Sequence, residues 1–143
     1  MFGLGGVVGN LTTGNIPERK LTQYLFYTFL LLFITIVLFV TVLHVTVLAF
    51  IICFMFGFGT FGTTPLLNSM IILNAHEAPL LASTLAASVF NLANFIGAIL
   101  GSLLLNIGLP YIEITFVSAS IILLGIILNF INFIYERKVV RKQ

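Results

Sequence analysis

The sequence predicts an all-α polytopic membrane protein, with four full transmembrane helices following an N-terminal half-helix. Three observations predict it. First, the ionisable residues fall in short clusters: Glu18-Arg19-Lys20, His44, His76-Glu77, Glu113 and Glu136-Arg137-Lys138, with Arg141-Lys142 behind. The intervals 21–43, 45–75, 78–112 and 114–135 contain no Asp, Glu, Lys, Arg or His. A hydrocarbon core ~30 Å thick takes about 20 apolar helical residues, so each interval holds one crossing and none comfortably holds two. Second, the chain is 60% hydrophobic and 7% charged, with a mean hydropathy of +1.22. A soluble domain carries roughly 25% charged residues, so this chain has too few to cover a soluble surface. Third, all six Lys and Arg residues sit in the first and last clusters. An even number of crossings puts those clusters on one side, and excess Lys and Arg marks the cytoplasmic side.

The elements follow in order. Segment 1–14 is Gly-rich and apolar, but as a helix it reaches only ~21 Å, too short to span. It reads as the second half of a membrane helix. Pro17 breaks the chain before the charged loop 15–20, which lies in the cytoplasm. Helix 21–43 has no Gly or Pro and is apolar all round, as a lipid-facing helix should be. It ends outside at His44. Helix 45–73 carries Gly57, Gly59, Gly62 and Pro65, with Thr60, Thr63, Thr64, Asn68 and Ser69. It returns to a polar cytoplasmic turn at His76-Glu77. Helix 79–106 carries Ala82, Ser83, Ala86, Ala87, Ser88, Asn91, Asn94, Gly97, Gly101 and Asn106. Helix 113–135 is again densely apolar, interrupted mainly by Gly125 and Asn129, and leads to the cytoplasmic tail 136–143. Small residues let helices approach closely, and buried polar ones need protein or water partners. The outer pair of helices is therefore expected to be peripheral and the inner pair central.

Several chemistries are disfavoured. The net charge of +2 is no nucleic-acid signal, because the basic residues all mark helix ends. The lone Cys53 allows no disulfide framework within the chain. Gly57-Phe58-Gly59-Thr60-Phe61-Gly62 matches G-x-G-x-x-G, with Glu77 twenty residues after Gly57. A dinucleotide site, however, needs a strand before the glycines and a βαβ unit around them. His76-Glu77-Ala78-Pro79-Leu80 begins like a zinc-protease motif but has no second His, and Pro79 interrupts the helix. No catalytic set, metal ligand set or cofactor is expected, and the protein reads as no enzyme. Between the clusters the membrane intervals carry no Asp, Glu, Lys, Arg or His, so no proton-relay or ion-pair site is visible within them.

In helix 79–106, Ser83, Ala87, Asn91, Asn94, Ala98, Gly101 and Leu105 recur at steps of three or four and form one small, mostly polar stripe. Gly97 and Gly101, the second of them in that stripe, make a G-x-x-x-G, a helix-contact motif. Thr60, Thr64 and Asn68 share a face of helix 45–73. An uncharged polar face suits either tight packing or a water-filled pathway, and these residues alone leave both open.

Taken together, the segments resemble the last helices of the major facilitator superfamily, in its drug:proton antiporter branch of sugar, nucleoside and drug efflux permeases. The matching pieces are GFGTFGTTPLLNSMI, then A-P-x-x-A-S at Ala78–Ser83, F-N-x-x-N at Phe90–Asn94 and G-x-x-x-G at Gly97–Gly101. Upstream, Gly9, Asn10, Gly14 and Arg19 fit that family's cytoplasmic gating loop, with Glu18 in place of its Asp and an unusual Pro17. The resemblance covers essentially the whole chain. It implies half of helix eight and helices nine to twelve of a twelve-helix carrier in a cell membrane, with the C-terminus cytoplasmic. It implies a C-terminal fragment, from a truncated frame or an internal start at Met1, that does not transport in isolation. Its partners are the lipid bilayer, a small-molecule substrate and the N-terminal half of the transporter, with no nucleic acid and no cofactor. Thr60, Thr64, Asn68, Asn91 and Asn94 are the expected pathway residues. Gly57, Gly59, Gly62, Gly97 and Gly101 are expected to pack helices. The competing expectation is a complete four-span protein that oligomerises as a carrier, channel or scaffold.

Overall fold

The computed structural model describes residues 1–42, 45–75 and 78–140. The expectations placed on His44, on His76-Glu77 and on Arg141-Lys142 lie outside the described residues. The described chain is helical and contains no strand. Its elements are α1 (Phe2–Thr13), a 3-10 turn (Glu18–Lys20), α2 (Leu21–Val42), α3 (Thr46–Asn74), α4 (Pro79–Asn106) and α5 (Tyr111–Val140). Four helices are long and apolar enough to cross a membrane, over Glu18–Thr41, Thr46–Asn74, Pro79–Asn106 and Tyr111–Tyr135. The protein is a multi-pass membrane protein.

Local chemistry sets the boundaries. Pro17 adopts φ −61° and ψ 143°, and its carbonyl accepts the Lys20 N–H at 2.9 Å, so the turn opens on the residue that cannot continue a helix. Pro79 opens α4 in the first turn, where its missing N–H costs nothing. α4 ends in a Schellman cap. The Gly108 N–H donates to the Leu105 carbonyl at 3.0 Å and the Leu109 N–H to the Leu104 carbonyl at 3.1 Å. Gly108 takes φ +81°, a conformation that a side chain would strain, and Pro110 then prevents the helix from resuming. Glu113 lies in the first turn of α5, where a carboxylate complements the helix dipole.

The glycine-rich sequence 57–62 lies inside the continuous helix α3, so the nucleotide-fingerprint match has no strand behind it. Pro65 is also inside α3. Its ring removes one backbone donor, a cost that a membrane helix tolerates when neighbours pack around it.

The helices associate in the order α1, α3, α2, α5, with α4 beside the far end of α3. α3 is the central element. Leu66 of α3 is fully buried against Leu21 and Leu25 of α2, with Ile16, Phe29, Leu67, Met70 and Leu73 packed around them. α2 and α5 run antiparallel, so that Phe26 near the start of α2 meets Phe130 near the end of α5, with ring centroids 6.5 Å apart.

Two features depart from the expected sorting. α2 is not uniformly lipid-facing. Leu21, Leu25, Thr28, Leu32 and Thr35 form a buried stripe at alternating steps of four and three. The threonine hydroxyls satisfy themselves within the helix, Thr28 on the Leu25 carbonyl at 3.0 Å and Thr35 on the Leu31 carbonyl at 2.8 Å. Such threonines bury almost as small apolar residues. Of the inner pair, α3 is central, whereas α4 buries only Ala82 and Ala86 among its described residues. Its small, polar stripe has no counterpart surface among α1, α2, α3 and α5.

Candidate substrate pathway

The closest helix contact in the molecule is built on glycine. Gly5, Gly6, Gly9 and Thr13 form one buried face of α1, and Gly57 and Gly62 lie on the α3 face that meets it. A methyl group on Gly5 would overlap the Phe54 carbonyl oxygen, and one on Gly9 the Phe58 carbonyl oxygen. One on Gly57 would overlap the Phe2 carbonyl, and one on Gly6 would come within 2.6 Å of the Phe61 ring. The two backbones therefore touch, with no side chain between them. Gly62 meets the Thr13 methyl, where an added Cβ would lie 3.2 Å away. Gly59 turns to the other side of α3 and makes room for Leu32 of α2, 2.9 Å from the position its Cβ would take. α3 is thus held between α1 and α2 by glycines on two of its faces.

α3 also carries the polar residues of the first expected strip. Thr60 is half-buried and its hydroxyl donates to the Phe56 carbonyl at 2.8 Å. Thr64 is exposed and donates to the Thr60 carbonyl at 3.4 Å. Asn68 is half-buried one turn further on. Thr60, Thr64 and Asn68, spaced four residues apart, thus form a continuous uncharged strip along α3. The two hydroxyls are satisfied by their own helix, and each retains acceptor capacity for a solute or water.

α4 presents the second polar strip. Asn91 and Asn94 are exposed, and Gly97 and Gly101 have no atom within 4 Å of the position a Cβ would take. Ser83 and Ser88 donate to the Leu80 and Thr84 carbonyls, both at 3.0 Å. Near the turn that joins the helices, α4 approaches α3 around Leu67, Met70, Ile71 and Asn74, which share a cleft with Ala82 and Leu85. The structure therefore brings Thr60, Thr64 and Asn68 together, and it leaves Asn91 and Asn94 on a separate open face.

Of the residues assigned to the cytoplasmic loop, Gly9 and Asn10 belong to α1, Gly9 buried on α3 and Asn10 exposed. Gly14 caps α1, its N–H donating to the Asn10 carbonyl at 2.9 Å. Glu18 and Arg19 are exposed in the 3-10 turn. The role of Gly5 and Gly6 escaped sequence reasoning, although the spacing of Gly5 and Gly9 is itself a G-x-x-x-G that could have revealed it.

Comparison with known proteins points in one direction. The chain is 34% identical over 105 residues to YfhI of Bacillus subtilis strain 168, an uncharacterized MFS-type transporter, a match that covers 73% of this chain and 26% of YfhI. It is 31% identical over 133 residues to YdhP, an inner membrane transport protein of Escherichia coli K12, covering 92% of this chain and 34% of YdhP. The YdhP of Escherichia coli O157:H7 matches over the same length at the same identity. The chain thus spans between about a quarter and a third of the length of these relatives. No protein-family model matches it, and no solved structure is significantly similar.

Proposed function

We propose that this chain is the C-terminal portion of a major facilitator superfamily transporter that exports small molecules such as drugs, sugars or nucleosides, coupled to protons. In such carriers two bundles of helices rock about a substrate site near the bilayer midplane, exposing it to each side in turn. In this reading α3 and α4 carry the chain's share of that site. Thr60, Thr64 and Asn68 face the solute from one helix and Asn91 and Asn94 from the other. The observation that carries the reading is the open face of α4, with similarity to transporters named as such. An apolar span gains nothing by exposing two asparagines and two glycines to lipid, since asparagine amides in hydrocarbon lack hydrogen-bond partners. The same face suits contact with a second helical bundle and a hydrated path between the two. Gly97 and Gly101 then pack against the other bundle. Gly14, Glu18 and Arg19 belong to the link that gates it on the cytoplasmic side, with Gly9 and Asn10 in the last turns of the helix that leads into it. The confinement of Lys and Arg to the sequence clusters 19–20 and 137–142 supports that orientation, with the C-terminus in the cytoplasm of a bacterial-type inner membrane. The partners are lipid, a small-molecule substrate and the N-terminal half, with no nucleic acid.

The test is accumulation of a drug, sugar and nucleoside panel in cells lacking their main efflux pumps. The upstream-extended reading frame is compared with the 143-residue chain. The reading expects lower accumulation with the extended frame alone. Lower accumulation with the short chain alone would overturn it in favour of a small oligomeric carrier.

A further inference from the structure

Between α1 and α3 lies a groove of about 480 Å³, lined by Phe2, Gly3, Gly6, Val7 and Asn10 of α1 and by Phe61 of α3. Sites for small organic ligands run to roughly 300–1,000 Å³, so the groove has the size for one. Its two ends differ. At one end the Phe2 and Phe61 rings meet edge to face with centroids 5.7 Å apart, and the Phe56 ring stands 5.9 Å from Phe2. Gly6 lies under the Phe61 ring, and nothing stands within 4 Å of the Cβ position of Gly3, so the rings are approached over bare backbone. Towards the other end is the exposed carboxamide of Asn10, the one polar side chain among the described lining residues.

Depth places the aromatic end. The 12 residues of α1 rise about 17 Å from Phe2 to the link that carries Glu18–Lys20, roughly half of a ~30 Å hydrocarbon core. Phe61 gives the same level, because it stands at the middle of the 29-residue helix α3. Carriers of the proposed class bind their solute near that midplane. Phe61, Thr64 and Asn68 also recur at steps of three and four, so the aromatic end lies on the face of α3 that carries part of the uncharged strip. Lipid chains are a poor occupant, since they give the Asn10 carboxamide no hydrogen-bond partner. A sugar is a poor one too. A single carboxamide replaces few of the hydrogen bonds that a polyhydroxyl solute gives up with its water. A flat aromatic molecule gains from the Phe2 and Phe61 rings and needs only one polar contact.

We propose that the α1–α3 groove selects the solute, and that the solute is a planar aromatic amphiphile and not a sugar. Its ring system packs on Phe2 and Phe61, and one hydrogen-bonding group meets Asn10. The inference rests on the transport reading above and narrows it. Phe61 is then a specificity-determining residue. So is Asn10, which the sequence pattern had placed with the gate.

The experiment uses the upstream-extended protein in lipid nanodiscs with Cys53→Ser and Val7→Cys, since Val7 lines the groove and is 59% exposed. A membrane-impermeant maleimide labels the introduced thiol, with ethidium or a thiogalactoside as competitor. Ethidium is expected to slow labelling severalfold, and the thiogalactoside to leave the rate unchanged. Phe61→Leu should raise the ethidium concentration needed by about two- to tenfold, the worth of one aromatic pair. Phe61→Tyr keeps the ring and should stay close to the unsubstituted value. A thiol that never reacts would overturn the proposal, because lipid or another helix then covers the groove. So would equal protection by both competitors, or ethidium protection indifferent to Phe61→Leu. Efflux of ethidium, sugar and nucleoside by the same protein is measured in cells. Ethidium protection with no efflux of any solute would support the groove as an aromatic site and overturn the transport reading instead.

Discussion

Replacing Gly9 by valine tests the glycine contact between α1 and α3. Even a single methyl at Gly9 would overlap the Phe58 carbonyl oxygen and stand 3.0 Å from the Phe58 carbonyl carbon and Cα. These are helix backbone atoms and cannot rotate away. Relief requires the helices to part by about 0.5–1 Å, which forfeits roughly a quarter to a half of the dispersion attraction along the seam. Overpacking of this kind costs about 1–3 kcal/mol. Valine also changes helix propensity, so the matched control is Gly97→Val, where nothing lies within 4 Å and the propensity change is similar. The difference between the two variants isolates the contact. Cys53, the single and half-buried thiol, stands on α3 next to Phe54 and supplies the assay. Its rate of reaction with a fluorogenic maleimide in detergent reports how often α3 loses its packing. Gly9→Val should accelerate labelling over Gly97→Val by about five- to hundredfold, the equivalent of ~1–3 kcal/mol. Equal rates would refute the reasoning and mean that α1 does not hold α3 in solution.

Three other outcomes are expected. Asn129 is buried, and both its amide atoms lack a hydrogen-bond partner among the described residues. Asn129→Leu should therefore raise the midpoint of thermal unfolding, with a gain of about 1–2 kcal/mol, and a lower midpoint would mean that the amide is bonded in the membrane. Gly101→Leu should leave the stability of the 143-residue chain within about 0.5 kcal/mol, since the site is open, yet it should abolish transport by the extended protein. Phe130→Ala should weaken α2–α5 packing by about 0.5–1.5 kcal/mol, read as faster proteolytic release of α5, because it removes the ring that meets Phe26.

What was legible in the sequence was whatever depends on local composition. Charge-free intervals of membrane length fixed the four spans, and Pro79 and Gly108 stand at helix ends for reasons visible in the residues themselves. What was not legible is which faces meet. Helix 21–43 looked apolar on every side because threonine carries its own hydrogen-bond acceptor in the helix, so Thr28 and Thr35 pack like small apolar residues. The contact on which α1 depends could have been read from Gly5 and Gly9, but a short Gly-rich segment draws attention to its missing length and not to its face. α4 is the reverse case. Its stripe is plain in the sequence, and among these residues it meets no partner. Periodicity reveals that a face exists and not what covers it.

The central claim is that the asparagines of α4 face a hydrated path. The most direct measurement uses the extended protein with Cys53→Ser, and with Asn94→Cys or, as the lipid-facing control, Leu124→Cys on the exposed side of α5. Each variant is exposed to a membrane-impermeant, water-borne thiol reagent. The account predicts that Asn94→Cys reacts, that transported solute slows the reaction, and that Leu124→Cys stays inert. Equal inertness at both positions would contradict it, leaving the α4 stripe as a dry helix contact.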